Sequence, residues 1–233
     1  MPQDSLFIFG KDYGAFFGEV DQNELHRNVA YQVVLGQECQ VTIEDDRPAK
    51  YIGDIVLIKP LAKHKIQCDG PISLIYFSPS SKFVLCYLKH LNATDISVVR
   101  DDVLPFNCRS SSGQIIDSLN NIMKSPKTVL DSRLVQALGD LEGDLQNASI
   151  AQTAKACDIS RSRLRALARQ QLGLPLSTWL IWKKLIKANK ALYSGASLSE
   201  AALLGGFSDQ AHFTRSMRRM FGVTPTNALK IFS

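Results

Sequence analysis

The fold is decided by residues 197–222, which read SLSEAALLGGFSDQAHFTRSMRRMFG. Ser197 and Glu200 have the spacing of a capping box, so the sequence predicts that a helix begins here. The pair Gly205-Gly206 interrupts the helical pattern, and Gly222 closes a second helical stretch. The sequence therefore predicts a short helix, a tight turn and a second helix. This helix-turn-helix pattern is typical of proteins that place the second helix in the major groove of DNA.

The same unit occurs a second time, in residues 149–173, which read SIAQTAKACDISRSRLRALARQQLG. Its capping pattern, Ser149 and Gln152, lies 48 residues before that of the other unit, and its closing Gly173 lies 49 residues before Gly222. A repeat that keeps its helix start, turn and helix end indicates a duplicated supersecondary unit. The predicted helices are Ile150–Cys157, Arg161–Leu172, Leu198–Leu204 and Asp209–Phe221, with a linker helix at Ser177–Tyr193.

The second helix of each unit carries basic and amide side chains opposite its apolar face. In the first unit Arg161, Arg165 and Arg169 recur every four residues, which places them in one stripe along the helix, and Arg163 lies between the two faces. Arginine can bond guanine and glutamine can bond adenine at their major-groove edges. Any single arginine could instead contact a phosphate or remain solvated. The residues predicted to face DNA are Arg161, Arg163, Arg165, Arg169, Gln210, Thr214, Arg215 and Arg218.

The linker helix sets the spacing between the two units. Its 17 residues span about 26 Å, and the widths of the flanking units bring the separation near the 34 Å of one DNA turn. Both second helices are therefore predicted to enter successive major grooves on one side of the duplex. The linker lysines are expected to contact phosphates or water, and they are Lys183, Lys184, Lys187 and Lys190.

The N-terminal half has the pattern of a small antiparallel sandwich or barrel, because short β-prone runs alternate with turn residues. Helical spacing follows in Ser80–His90 and Gly113–Lys124. The second of these helices is a candidate dimer contact, and packing on its own domain is an equal alternative. The predicted strands are Leu6–Phe9, Ala30–Leu35, Gln40–Ile43, Asp54–Ile58 and Ile72–Phe77.

Charge also divides the chain. Residues 1–125 hold 12 Lys and Arg against 15 Asp and Glu, whereas residues 126–233 hold 15 against 7. A basic half suggests a polyanionic partner, with a solvated basic surface as the alternative. Five scattered cysteines without a CxxC motif favour reduced thiols. The short apolar runs and the absence of a secretory pattern at the N-terminus lead us to expect a cytoplasmic protein with no membrane partner.

A small barrel can hold a ligand between its sheets, with a few polar groups at the mouth. The candidate effector-binding residues are His26, Lys50, His64 and Tyr76. Two isolated histidines without an HxH pair are too few for a metal site, so no metal and no other cofactor is predicted. Structural roles for these histidines, and a packed domain that only dimerises, remain alternatives.

The segment from about Asp131 to the end resembles the DNA-binding domain of the AraC/XylS family of bacterial transcription regulators. The resemblance is strongest over Ala202–Pro225. Residues 53–64, GDIVLIKPLAKH, resemble the second motif of the cupin (jelly-roll) family, and the N-terminal part resembles the cupin-like effector domain of the same regulators. Two positions depart from the family pattern, because Ala168 and Met217 stand where aromatic residues are usual. The resemblance implies base contacts from Ser162, Arg165 and Ala166 in the first unit and from Gln210, Ala211 and Arg215 in the second.

These observations predict an α+β chain with a jelly-roll or cupin-like domain at 1–125 and an all-α domain at 126–233. We expect a sequence-specific DNA-binding transcription regulator, in particular an activator, and not an enzyme. Its expected partners are double-stranded DNA, a small-molecule effector, RNA polymerase for an activator, and a second copy in a homodimer. The alternatives are a cupin enzyme with a nucleic-acid-binding tail and a non-specific architectural DNA binder.

Overall fold

The computed structural model describes residues 6–10, 12–19, 24–47, 49–88, 91, 94–124 and 130–232, the last three as backbone only. The chain divides into two compact units. Unit 1 comprises Met1–Lys127 and Arg218–Ser233, and unit 2 comprises Thr128–Met217. The domain boundary predicted at residues 125 and 126 lies outside the described residues.

Unit 1 is built on two antiparallel sheets. The strands are β1 (Leu6–Phe9), β2 (Tyr13–Gly18), β3 (His26–Arg27), β4 (Tyr31–Gly36), β5 (Val41–Glu44), β6 (Lys50–Gly53), β7 (Ile55–Ile58), β8 (Lys63–Gln67), β9 (Ile72–Phe77) and β10 (Ile96–Val98). The six-stranded sheet has the order β1-β2-β9-β4-β7-β10, and the four-stranded sheet has the order β3-β8-β5-β6.

All five predicted strands are present, each within one residue of its predicted ends. The other five strands were not predicted, because their sequences do not show alternating apolar residues. The strand β2 contains two glycines that look like turn residues, β3 has only two residues, and β8 reads KHKIQ. Their positions depend on pairing with distant strands, such as His26 of β3 opposite His64 of β8.

Two helices of unit 1, α1 (Lys82–Cys86) and α2 (Ser112–Met123), pack on the β-domain. The α1 helix is shorter than the predicted Ser80–His90. Ile115 and Leu119 of α2 are fully buried in the same apolar cluster as Leu57 of β7 and Phe77 of β9. The packing role considered for this helix is therefore confirmed, and its role in a dimer stays a prediction.

The expectation of five reduced thiols is wrong, because Cys39 and Cys68 form a disulfide. Cys39 lies between β4 and β5, and Cys68 follows β8. Since β4 pairs with β9 and β5 pairs with β8, these two connections run side by side and bring the two Cα atoms to 6.7 Å. Sequence spacing does not reveal this proximity, which arises from the strand order. The other three cysteines are free.

Unit 2 is entirely helical in its described residues, and its helices follow the predicted duplication. The helices are α3 (Ser132–Gly143), α4 (Ile150–Ala156), α5 (Arg161–Leu172), α6 (Leu176–Tyr193), α7 (Leu198–Leu204), α8 (Gln210–Phe221) and α9 (Pro225–Phe232). The last four residues of α8 and all of α9 fall in unit 1. The helices α5 and α7 have the predicted ends, and the linker helix α6 begins one residue before its predicted start. The last helix, α9, was not predicted.

The predicted helix starts are formed by side-chain caps. Ser197 Oγ accepts a hydrogen bond from the Glu200 backbone N–H at 3.2 Å, and the Glu200 carboxylate accepts one from the Ser197 N–H at 2.9 Å. In the first helix-turn-helix unit, Ser149 Oγ accepts a hydrogen bond from the Gln152 backbone N–H at 3.4 Å. Such caps satisfy backbone donors that have no partner within the helix. The α+β fold class with two helix-turn-helix units and a linker helix is thus confirmed.

Candidate nucleic-acid interface

The helix α5 presents one exposed polar face and one buried apolar face. Leu164, Leu167 and Ala168 are buried, with exposed fractions of 2% or less. Ser160 caps the helix by accepting from the Arg163 N–H at 3.1 Å, and Gly173 ends it in the left-handed conformation. The six residues that sequence and resemblance placed towards DNA are all exposed, and they are Arg161, Ser162, Arg163, Arg165, Ala166 and Arg169.

The helix α8 repeats this arrangement. Phe213 and Met217 are buried, whereas Gln210, Ala211 and Arg215 are exposed and Thr214 is half-buried. Two polar contacts order the start of the helix. The Asp209 carboxylate accepts from the His212 backbone N–H at 2.6 Å, and the Gln210 side-chain oxygen accepts from Ser199 Oγ at 3.2 Å. Each helix-turn-helix unit therefore offers a preformed second helix whose exposed side carries arginine.

Arg218, also predicted to face DNA, is paired within unit 1. Its guanidinium donates to both carboxylate oxygens of Glu24, with nitrogen–oxygen distances of 2.7, 3.0 and 3.1 Å. These hydrogen bonds, and the positive charge of Arg218, lower the pKa of Glu24. Both side chains are more than half exposed, so a phosphate would compete with the Glu24 carboxylate for the same guanidinium. The DNA contact of Arg218 stays a prediction.

Two of the four linker lysines have protein partners. Lys183 is only 6% exposed, and its Nζ lies 3.0 Å from Glu142 Oε1 of α3. Lys184 Nζ donates to the Gly206 carbonyl at 2.7 Å, and burial lowers the pKa of this lysine. The expected phosphate contact is therefore wrong for Lys183. Lys184 stabilises the turn of the second helix-turn-helix unit. Lys187 and Lys190 are exposed, and their phosphate contacts stay predictions.

Replacing Lys184 by methionine is expected to destabilise unit 2 by about 1–2 kcal/mol, because it removes a charged donor from a half-buried carbonyl and keeps most of the apolar stem. Urea unfolding of the full chain, followed by circular dichroism, measures this change. Lys187→Met is the matched control on the same helix and should change stability by less than about 0.5 kcal/mol. Equal effects of the two substitutions would contradict the role given to Lys184.

The predicted effector residues of unit 1 are only partly brought together. His26 and His64 lie opposite each other on β3 and β8, with their ring centroids 4.4 Å apart, and both are buried. Tyr76 is buried on β9. Lys50 does not join them, because it lies exposed on β6 with its Nζ 2.8 Å from Glu44 Oε1. We therefore remove Lys50 from the candidate effector set.

Sequence reasoning missed Gln32, which connects the two sheets. It stands opposite Tyr76 in the β4–β9 pairing, and its side-chain amide lies 3.0 Å from His64 Nε2. Gln32 is fully buried. A signal was available in the sequence, because Gln32 is the one polar side chain in the β-prone run Ala30–Leu35. His26, Gln32 and His64 are called the interior cluster below.

The interior cluster makes the stability of unit 1 depend on pH. Burial lowers the pKa of His26, and it lowers the pKa of His64 to about 3 from the ordinary 6.5. When the pH lies between the pKa of a buried histidine in the folded chain and the ordinary 6.5, the unfolded chain binds a proton at that histidine and the folded chain does not. The free energy of unfolding should therefore fall as pH drops below 6.5, by up to about 1.4 kcal/mol per pH unit for each histidine.

Urea unfolding between about pH 5 and pH 7 tests this expectation above the range in which most carboxylates titrate. His64→Leu should reduce the slope of stability against pH, since one of the two buried rings is then absent. His212→Asn, a substitution on α8, is the control and should leave the slope unchanged. If the free energy of unfolding of the His64→Leu variant changes with pH as steeply as that of the wild type, burial of the His64 ring does not lower its pKa.

Among the described residues, no group of three histidine, cysteine, aspartate or glutamate side chains is placed to hold a metal ion. No described helix is long and apolar enough to cross a membrane.

Residues 153–231 match a family model described as a helix-turn-helix domain. LumQ of Photobacterium leiognathi, named a probable transcriptional regulator, is 28% identical over 138 residues, which are 58% of this chain and 56% of LumQ. VirF of Yersinia enterocolitica, named a virulence regulon transcriptional activator, is 30% identical over 88 residues, which are 37% of this chain and 32% of VirF. Residues 153–231 therefore have the sequence of a helix-turn-helix domain, and the relatives that they resemble are named as transcription regulators. The chain spans about half of LumQ and a third of VirF.

Solved structures show that the chain shares its fold with ToxT of Vibrio cholerae. Apo ToxT matches with a TM-score of 0.61 at 11% identity, over 96% of this chain and 99% of ToxT. A ToxT structure with an unsaturated fatty acid bound matches with a TM-score of 0.59 at 13% identity, over 99% of this chain and 97% of ToxT. The family model and the named regulators confirm the resemblance of the helix-turn-helix segment, and the ToxT structures confirm the fold.

Proposed function

We propose that the protein is a sequence-specific DNA-binding transcription regulator that inserts α5 and α8 into successive major grooves. One observation carries this proposal. The chain contains two helix-turn-helix units, and the exposed side of each second helix presents arginine, as at Arg165 and Arg215. Two preformed helices with side chains suited to base edges are what recognition of two adjacent half-sites requires.

Unit 1 is proposed to control DNA binding through a small-molecule effector. The interior cluster supports this role, since buried polar side chains inside a β-domain are typical of ligand sites. The fatty acid bound to ToxT supports ligand control in a protein of the same fold. An effector acts only if it binds one conformation of the protein more tightly than another.

Activation is the proposed direction of regulation, with RNA polymerase as a partner and a homodimer as the working form. The name of VirF as a transcriptional activator supports the direction. The exposed side of α2 is the proposed dimer contact, because only Ile115 and Leu119 of this helix are fully buried.

A gel-shift titration of the full chain tests the proposed function. Genomic fragments bound by the protein are first selected and sequenced, and the enriched site is then compared with scrambled DNA of the same length. We expect at least about a thousandfold preference at physiological salt. Equal affinity for the two DNAs would identify a non-specific architectural binder and would overturn sequence-specific recognition.

A further inference from the structure

Three buried polar atoms close together in the sequence of unit 1 have no hydrogen-bond partner among the described residues. They are His26 Nε2, Asn28 Nδ2 and Gln32 Nε2. The exposed fractions of these residues are 5%, 1% and 0%. Buried polar groups are nearly always hydrogen-bonded, because an unpaired group loses the free energy of its hydration without compensation. His26 and Gln32 both lie next to His64, so two of these atoms belong to one place in the domain that a polar molecule could satisfy.

The side chains of these residues come from both sheets. His26 lies on β3, and its ring is stacked obliquely against that of His64 on β8. Gln32 reaches His64 from β4 of the six-stranded sheet. Asn28 follows β3 by one residue, and its side-chain oxygen is already used, since it accepts from the Ala30 N–H at 2.9 Å. The amide NH2 of Asn28 is therefore the donor of the site.

The hydrogen bonds of the two histidines fix which ring nitrogens accept. His26 Nδ1 lies 2.9 Å from the Glu24 carbonyl, and His64 Nδ1 lies 3.0 Å from the Ala62 carbonyl. A carbonyl only accepts, so both Nδ1 atoms carry the proton. In the neutral rings both Nε2 atoms are then acceptors. His64 Nε2 must accept from the NH2 end of the Gln32 amide, so the amide is turned over and the unpaired atom of Gln32 is its oxygen and not Nε2.

The two lysines next to His64 do not face the interior cluster. Lys63 and Lys65 flank His64 on β8, and because side chains alternate along a strand they point to the opposite face. Lys63 Nζ lies 3.6 Å from Asp46 Oδ2 on that face. A carboxylate placed beside His26 and Gln32 would meet two acceptors and neither of these lysines. A hydroxyl group would donate to one of these acceptors and accept from Asn28.

We propose that the interior cluster, together with Asn28, binds the hydroxyl group of a small neutral molecule and does not bind carboxylates. The inference rests on the proposed function, because it names the chemical class of the effector that unit 1 would take.

The test uses the full chain with 15N-labelled histidine and two probes of matched size, 1-propanol and propionate. Long-range proton–nitrogen NMR spectra report each ring nitrogen separately. We expect His26 Nε2 to show the shift of an unprotonated acceptor, and to move on titration with 1-propanol but not with propionate. Gln32→Leu should weaken the response to 1-propanol at least tenfold. Lys50→Gln, on the exposed strand β6, is the control and should respond as the wild type does.

Three outcomes would overturn this inference. An equal or larger response to propionate would show that the ligand class is wrong. No response to 1-propanol up to molar concentration would show that the cluster is not a ligand site. A wild-type response in Gln32→Leu would place the probe elsewhere. If Gln32→Leu does not fold, the comparison of the two probes on the wild-type protein decides. Gel shifts on the same samples separate the two proposals, because retained specific DNA binding leaves the proposed function standing when this inference fails.

Discussion

Replacing Gly205 by alanine is expected to destabilise unit 2 by about 2–3 kcal/mol, although alanine is normally a better helix residue than glycine. A Cβ at this position would lie 2.6 Å from the Ala188 Cβ and 2.8 Å from the Lys184 carbonyl oxygen. The second of these atoms belongs to the backbone of α6, so it cannot rotate away. The linker helix and the second helix-turn-helix unit would have to separate, and their buried contact would be lost.

Gly139→Ala on α3 is the matched control, since a Cβ there has no heavy atom within 4 Å. This substitution should stabilise the protein by about 0.5–1 kcal/mol through helix propensity alone. Urea unfolding of both variants measures the two free energies of unfolding. Effects of the same sign would show that α6 and α7 are not in tight contact at Gly205.

Replacing Arg215 by alanine is expected to cost about 1–3 kcal/mol in binding to the cognate DNA and to relax sequence preference at one base pair. The physical reason is the loss of a side chain that is exposed one helical turn after Ala211 on α8, where a guanidinium can bond the major-groove edge of guanine. Binding to scrambled DNA should fall much less. Fluorescence anisotropy with the cognate site and its single-base variants measures both quantities.

Lys187→Ala is the control for a phosphate contact. Lys187 is exposed on the linker helix, so its loss should weaken cognate and scrambled DNA alike and reduce the salt dependence by about one counterion. Identical behaviour of the two variants on both DNAs would refute the division between base-reading and phosphate-contacting residues.

The helices of unit 2 could be predicted from the sequence because their signals are local. Ser197 and Glu200 lie within one helical turn, and Gly173 has the left-handed conformation that glycine adopts without strain. The exposed side of α5 followed from the spacing of its arginines. The partner of Lys183 could not be predicted, because Glu142 lies on another helix and a lysine at an apolar position looks like a solvated charge.

In unit 1 the unpredicted features depend on strand order. The disulfide between Cys39 and Cys68 and the meeting of Gln32 with His64 both join residues about 30 positions apart, through pairings between distant strands. The structure brings the predicted candidates His26 and His64 together, whereas β6 carries Lys50 to the exposed edge of the smaller sheet. Composition and local periodicity contain no information on which strands become neighbours.

The helices α5 and α8 are proposed to read two half-sites on one side of the duplex, at a spacing set by the linker helix. The most direct test inserts about 5 bp, half a helical turn, between the two half-sites defined by footprinting. We expect affinity to fall to that of a single half-site, with protection of only one major groove. Unchanged affinity and continued protection of both grooves would contradict the claim.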